Sequence, residues 1–156
     1  MKKNILIIGV SILVVIVFLI FKYKDHLPPR TPLKIARIQS GLDIPQGIQI
    51  IDFKEEYSFN GEGYIYVLLK LDGKTLQDII KECIKKRYIK LTIENLVEDK
   101  FIQPNSEYGI KLYDKDITSI KKGYYKLNAI DLNKLDFRIT VIDEQKKELI
   151  IYINIP

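Results

Sequence analysis

Residues 135–155 read LDFRITVIDEQKKELIIYINI. Two runs of period two flank a polar tetrapeptide. In the first, Phe137, Ile139 and Val141 fall on one side, with Arg138, Thr140 and Ile142 on the other. In the second, Leu149, Ile151, Ile153 and Ile155 share a side. Successive side chains of a strand point to opposite faces. Each run therefore predicts a strand, and the link 144–147 predicts an antiparallel hairpin.

Working outward, residues 63–71, GYIYVLLKL, are β-branched and aromatic, as strands prefer. Residues 47–53, GIQIIDF, are also strand-like. Between them lies KEEYSFNG, polar and ending in Asn60-Gly61, a strong turn signal. This predicts a second hairpin with a loop longer than two residues. Asp72-Gly73-Lys74 turns the chain into TLQDIIKECIKKR, residues 75–87. There Leu76, Ile79, Ile80, Cys83 and Ile84 recur at helical spacing and form one apolar face. Thr75 and Asp78 have the spacing of a capping box, and Lys85, Lys86 and Arg87 sit where the helix dipole favours cations. Residues 123–127, GYYKL, predict a short strand. Residues 33–38 read as a short strand or an entry segment, 92–99 as a short helix capped by Thr92, 103–109 as a loop and 110–122 as irregular. Short links favour antiparallel pairing. The expected class is α+β: an antiparallel sheet of about five strands packed on one amphipathic helix in two layers, as a single domain over residues 33–156.

Ahead of this domain, residues 5–21 read ILIIGVSILVVIVFLIF without a charge, between Lys2, Lys3 and Lys22, Lys24. As a helix this run measures about 26 Å, at the short end of what crosses a bilayer. A cleaved signal would show a shorter apolar core and small residues at a cleavage site; KYKDHLPPR follows instead. The expectation is an uncleaved signal-anchor over residues 1–24 and a single-pass membrane protein. A proline-rich spacer follows over 25–32, with its solvated His26. Basic residues accumulate on the cytoplasmic side of a membrane. Counted literally they favour a cytoplasmic C-terminus, yet the layout is that of an N-terminus kept inside and a domain exported from a bacterial cytoplasm.

Composition excludes more than it proposes. The 156-residue chain has one His and one Cys, too few for a zinc site or a histidine-based nucleophilic site. There is no GxxxxGK[ST], and Gly61-Glu62-Gly63 lacks the rest of a dinucleotide fingerprint. No cofactor and no metal are expected. The formal net charge of +5 includes Lys2 and Lys3, which leaves the domain only mildly basic, so no nucleic-acid partner is expected. Cys83 lies on the apolar helical face and reads as a small buried hydrophobe.

Two surfaces compete for function. Glu55, Glu56, Tyr57, Phe59, Glu62 and Tyr64 interleave acidic and aromatic residues around the first hairpin loop and are the expected site for a protein partner. Asp52 joins these carboxylates in the alternative of a carboxylate-dependent hydrolase or a calcium site; Asp114-Lys115-Asp116 lacks the glycine and the closing Glu of a calcium loop. Lys85, Lys86, Arg87 and Lys90 form the densest basic run and are expected to meet anionic lipid. The reading is a non-enzymatic, membrane-anchored binding or inhibitory module, with an immunity-type or envelope-associated factor as one form and a cytoplasm-facing tether as another.

Overall fold

The computed structural model describes residues 2–25, 29–91, 111–112, 115–116, 120–131 and 136–155. Its main sheet is built around the last strand, β8 (Glu148–Ile155). β8 pairs antiparallel with β7 (Asp136–Asp143) through the turn 144–147, and on its other side with β2 (Gly63–Lys70). β1 (Gln49–Tyr57) extends the sheet beyond β2. β6 (Gly123–Asp131) and β3 (Ile89–Leu91) extend it beyond β7. The order is β1-β2-β8-β7-β6-β3, all antiparallel. Six strands replace the five or so expected. A separate ribbon pairs β4 (Lys111–Leu112) with β5 (Lys115–Asp116) within the stretch expected to be irregular. The helix expected over 92–99, the loop over 103–109, His26 and Asp114 lie outside the described residues.

Two helices, not one, pack with the sheet. α2 (Pro32–Ser40) occupies the segment expected to be a strand or entry segment. Its reasons are local. Thr31 is the N-cap and accepts from the Lys34 amide at 3.3 Å. Pro32 stands in the first turn, where its missing N–H costs nothing. Gly41 ends the helix at φ 65°, the left-handed conformation suited to glycine. α3 (Gly73–Lys85) starts earlier than expected. Asp72, not Thr75, is the cap: its carboxylate accepts from the Thr75 amide at 2.8 Å and the Thr75 hydroxyl at 2.9 Å, and the former bond most of all holds its carboxyl below the usual range. At the other end Arg87 takes φ 58°, and the Tyr88 amide reaches back to the Cys83 carbonyl at 2.9 Å, a Schellman-type stop.

One core cluster joins Ile35 and Ile44 around α2, and Leu76, Ile79 and Cys83 of α3, to Ile65, Val67, Leu69, Leu149, Ile151 and Ile153 on the facing side of the sheet. The expected α3 face is right at Leu76, Ile79 and Cys83, while Ile84 is 63 % exposed. A second cluster buries the opposite side: Tyr66, Leu68, Ile139, Val141 and Ile150 pack with Leu91 and Ile120. The sheet is thus buried on both faces, which two layers alone do not account for. Fully burying each such aliphatic side chain contributes roughly 1.5–3 kcal/mol.

α1 (Lys2–Lys22) precedes this domain. Its described side chains are those at 10, 12–20 and 22, and the large apolar ones among them, from Val10 to Ile20, are 44–65 % exposed. Among the described residues no helix is long and apolar enough to cross a membrane; the described run 12–20 measures only about 14 Å along the axis. The span expected over 5–21 rests on the sequence. The ends of the expected spacer are tied down, Asp25 to Arg37 at 3.1 Å and Arg30 to Glu55 at 3.2 Å.

Candidate functional site

The β1–β2 hairpin carries the expected acidic and aromatic surface, on longer strands and a shorter loop than the sequence suggests. β1 continues to Tyr57, so the loop is only 58–62. Its backbone is closely bonded. The Ser58 amide donates to the Glu62 carbonyl at 2.7 Å, and the Gly61 amide to the Ser58 carbonyl at 3.0 Å. The Ser58 hydroxyl also reaches the Glu62 carbonyl at 3.0 Å and the Asn60 side-chain oxygen. Gly61 takes φ 88°, which an L side chain rarely adopts. Gly63 is required for a different reason: a Cβ there would fall on the Glu56 carbonyl oxygen across the strand pair.

From this loop Phe59 projects with 111 % relative exposure. The other expected residues are divided by the strand period. Glu55 and Tyr57 lie on one face, with the Tyr57 hydroxyl donating to Glu55 at 3.1 Å. Glu56 pairs in register with Tyr64 on the other face, where Tyr64 stacks on Tyr152 with ring centroids 6.0 Å apart. Glu62 is exposed at the end of the loop. Asp52 is taken by the backbone, accepting from the Phe53 amide at 2.8 Å. The structure thus collects Tyr57, Phe59 and Glu62 at one tip but separates Glu55 from Glu56. Among the described residues no group of three or more His, Cys, Asp and Glu is placed to hold a metal.

The basic run is likewise divided. Lys85, Arg87 and Lys90 are exposed, with the exposed Ile84 and Ile89 beside them. Lys86 turns inward as the C-cap of α3, where its ammonium meets the Gly41 carbonyl and lies 3.3 Å from Glu82. It ties α3 to the end of α2, a role the sequence reading missed because Gly41 is 45 positions away.

Two clefts flank this tie. One, of about 380 Å³, runs between α3 and the segment after α2, lined by Asp43, Pro45, Thr75, Asp78 and Glu82. There the Asp43 amide donates to Glu82 at 2.7 Å. The other, of about 220 Å³, lies at the foot of α1 and is lined by Lys22, Asp25, Arg37, Ile38, Gly41, Leu42, Asp43 and Lys86. Arg37 is fixed there, its Nη1 on Asp25 at 3.1 Å and its Nε on the Ile44 carbonyl at 2.6 Å. Cys83 is fully buried, and burial above all pushes its thiol up to about 12, which leaves no thiolate for nucleophilic chemistry.

Compared with protein-family models, curated proteins and solved structures, the chain matches none.

Proposed function

We propose that this chain is a membrane-tethered, non-catalytic binding module: α1 holds it in a bilayer, and the hairpin tip around Tyr57, Phe59 and Glu62 engages a protein partner on the extracytoplasmic side. The observation that carries the reading is Phe59, wholly exposed on a loop whose backbone is already bonded. Burying such a ring against a partner yields roughly 1.5–3 kcal/mol. Little of it is lost to ordering, because the loop is formed in advance. Glu62, exposed in the same loop, supplies charge at the rim, where partner choice is set more than affinity. The tether is supported by the uncharged sequence 5–21 inside α1, and by the exposure of that helix's described apolar side chains.

Two measurements test the two halves. The full chain should float with vesicles and resist alkaline extraction, and a phosphatase fused after Ile155 should be active. Extraction by alkali removes the tether; an inactive phosphatase beside an active cytoplasmic reporter makes the chain a cytoplasm-facing tether. A photo-crosslinking residue at position 59 should trap one discrete partner, whereas the same group at Gln145, in the exposed turn between β7 and β8, should not. Equal trapping from both positions sinks the tip as the contact.

A further inference from the structure

We infer that the cleft at the foot of α1 seats an amine-bearing phospholipid headgroup, its phosphodiester held by Lys22 and Lys86 and its ammonium facing Asp43. The inference rests on the tether reading, because Lys22 directly follows the uncharged run and so stands at headgroup depth when residues 5–21 cross the bilayer. The cleft, about 220 Å³ in volume, is bounded by three separate elements: Lys22 ends α1, Arg37 belongs to α2 and Lys86 caps α3. It is therefore a product of the fold and not a run of neighbouring charges.

The roles of the three cations differ. Arg37 has a side chain only 9 % exposed and is committed to Asp25 and the Ile44 carbonyl. With Asp25 it forms a fixed, charge-balanced wall. An ammonium carries three donors. Lys86 spends two of them on the Gly41 carbonyl and on Glu82, which leaves one for a ligand of the cleft it lines. Lys22 rests over the Tyr23 ring, 5.5 Å from its centroid, a contact that leaves its N–H groups available to an acceptor. Two lysines lining one cleft suit a phosphodiester anion. A purely anionic headgroup is a poorer match, since Asp25 and Asp43 line the same cleft. Asp25 is neutralised by Arg37, so Asp43 remains to face a primary ammonium. Ile38, 40 % exposed on the cleft wall, suits the glycerol side of the headgroup, where water gives way to hydrocarbon.

The test uses the full chain in nanodiscs of equal parts phosphatidylethanolamine, phosphatidylglycerol and phosphatidylcholine, released into mild detergent and weighed by native mass spectrometry. One retained phosphatidylethanolamine per chain is expected. At sub-saturating phosphatidylethanolamine, Lys22→Gln and Lys86→Gln should each lower that occupancy about fivefold, the effect of losing one interfacial cation, while Lys85→Gln, outside the cleft, should not. Lys86→Gln also cuts the tie to Gly41, so Lys22→Gln is the variant free of that effect on the fold. Retention without headgroup preference, preference for phosphatidylglycerol, or occupancy unchanged in Lys22→Gln overturns the proposal. Displacement of the lipid by excess inorganic phosphate assigns the cleft to the free anion and overturns it too. A chain that fails to enter the discs refutes the tether, and the headgroup with it; one that enters and retains nothing refutes the headgroup alone.

Discussion

The Tyr88 hydroxyl donates to the Ser40 carbonyl at 2.7 Å, joining the chain three residues past α3 to the last residue of α2. Ser40 is otherwise engaged through its own hydroxyl, which donates to the Ala36 carbonyl and accepts from the Leu42 amide. With Lys86 on the neighbouring Gly41 carbonyl, this bond fixes the angle between the two helices that cover the sheet.

Tyr88→Phe should therefore cost about 1–2 kcal/mol, since it leaves the carbonyl of a buried residue without its donor. Urea denaturation should show a lower midpoint at unchanged slope. An unmoved midpoint would mean that water replaces the phenol.

Alkaline pH should destabilise the domain. Burial raises the Cys83 thiol from 9.0 to about 12 and, again chiefly by desolvation, raises the Tyr88 phenol well above its ordinary 10.0. The unfolded chain gives up these protons first. The stabilisation is complete below pH 9 and is lost as pH climbs from there toward the folded values. Urea midpoints at pH 8 and pH 10.5 measure this. At pH 8 the thiol should react with a maleimide only after unfolding. Cys83→Ser should cost ~1–3 kcal/mol by burying a hydroxyl without a partner, and Cys83→Ala less.

Gly63→Ala should lower stability by about 1–3 kcal/mol, because its Cβ meets the Glu56 carbonyl oxygen of the paired strand. Amide exchange should quicken first along β1. Protection equal to wild type there would show that the strand pair shifts without cost.

Phe59→Ala should leave the melting midpoint within about 0.5 kcal/mol of wild type, as a surface change does, yet abolish partner capture. Glu62→Lys should also lose capture, whereas reversing Glu55 and Glu56, which the strand period puts on opposite faces, loses the Arg30 pair, worth at most about 1 kcal/mol at the surface, and should leave capture in place. Capture lost instead on neutralising Lys85 and Arg87 would move the contact to the basic corner.

Deleting residues 1–24 should leave a folded domain, because among the described residues neither buried cluster, nor the side chains packed against it, includes one before Leu33. Circular dichroism and dispersed methyl NMR signals test this; a disordered product would make α1 part of the core.

The sheet was legible where period and burial agree. β8 matches its expected limits because Leu149, Ile151, Ile153 and Ile155 make one face a continuous apolar row, and the 144–147 link contains no apolar residue. α2 was missed although Thr31, Pro32 and Gly41 are ordinary start and stop signals. Pro28 and Pro29 upstream, taken together with Pro32, read as a spacer, and the segment's short apolar pattern is broken by Arg37, whose charge is hidden because Asp25 folds back to meet it. The second buried face was present in GYIYVLLKL, a run largely apolar on both sides, and in Ile150 and Tyr152 of ELIIYINI, but reading them as strands covered on one face discarded that signal. The hairpin tip was legible since its residues are local. The cleft was not, because Lys22, Arg37 and Lys86 come from three elements and meet only after folding.

The central position of β8 also sets a clock on synthesis. β2 is made by residue 70 and acquires its second neighbour only when 148–155 arrive. At translation speeds of 5–20 residues per second, that interval is roughly 4–16 s. Throughout it the nascent chain carries a bare, strongly apolar strand edge, the kind that invites pairing with other chains. Slower decoding of the segment between β2 and β8 should thus raise aggregation without altering a single residue of the finished protein.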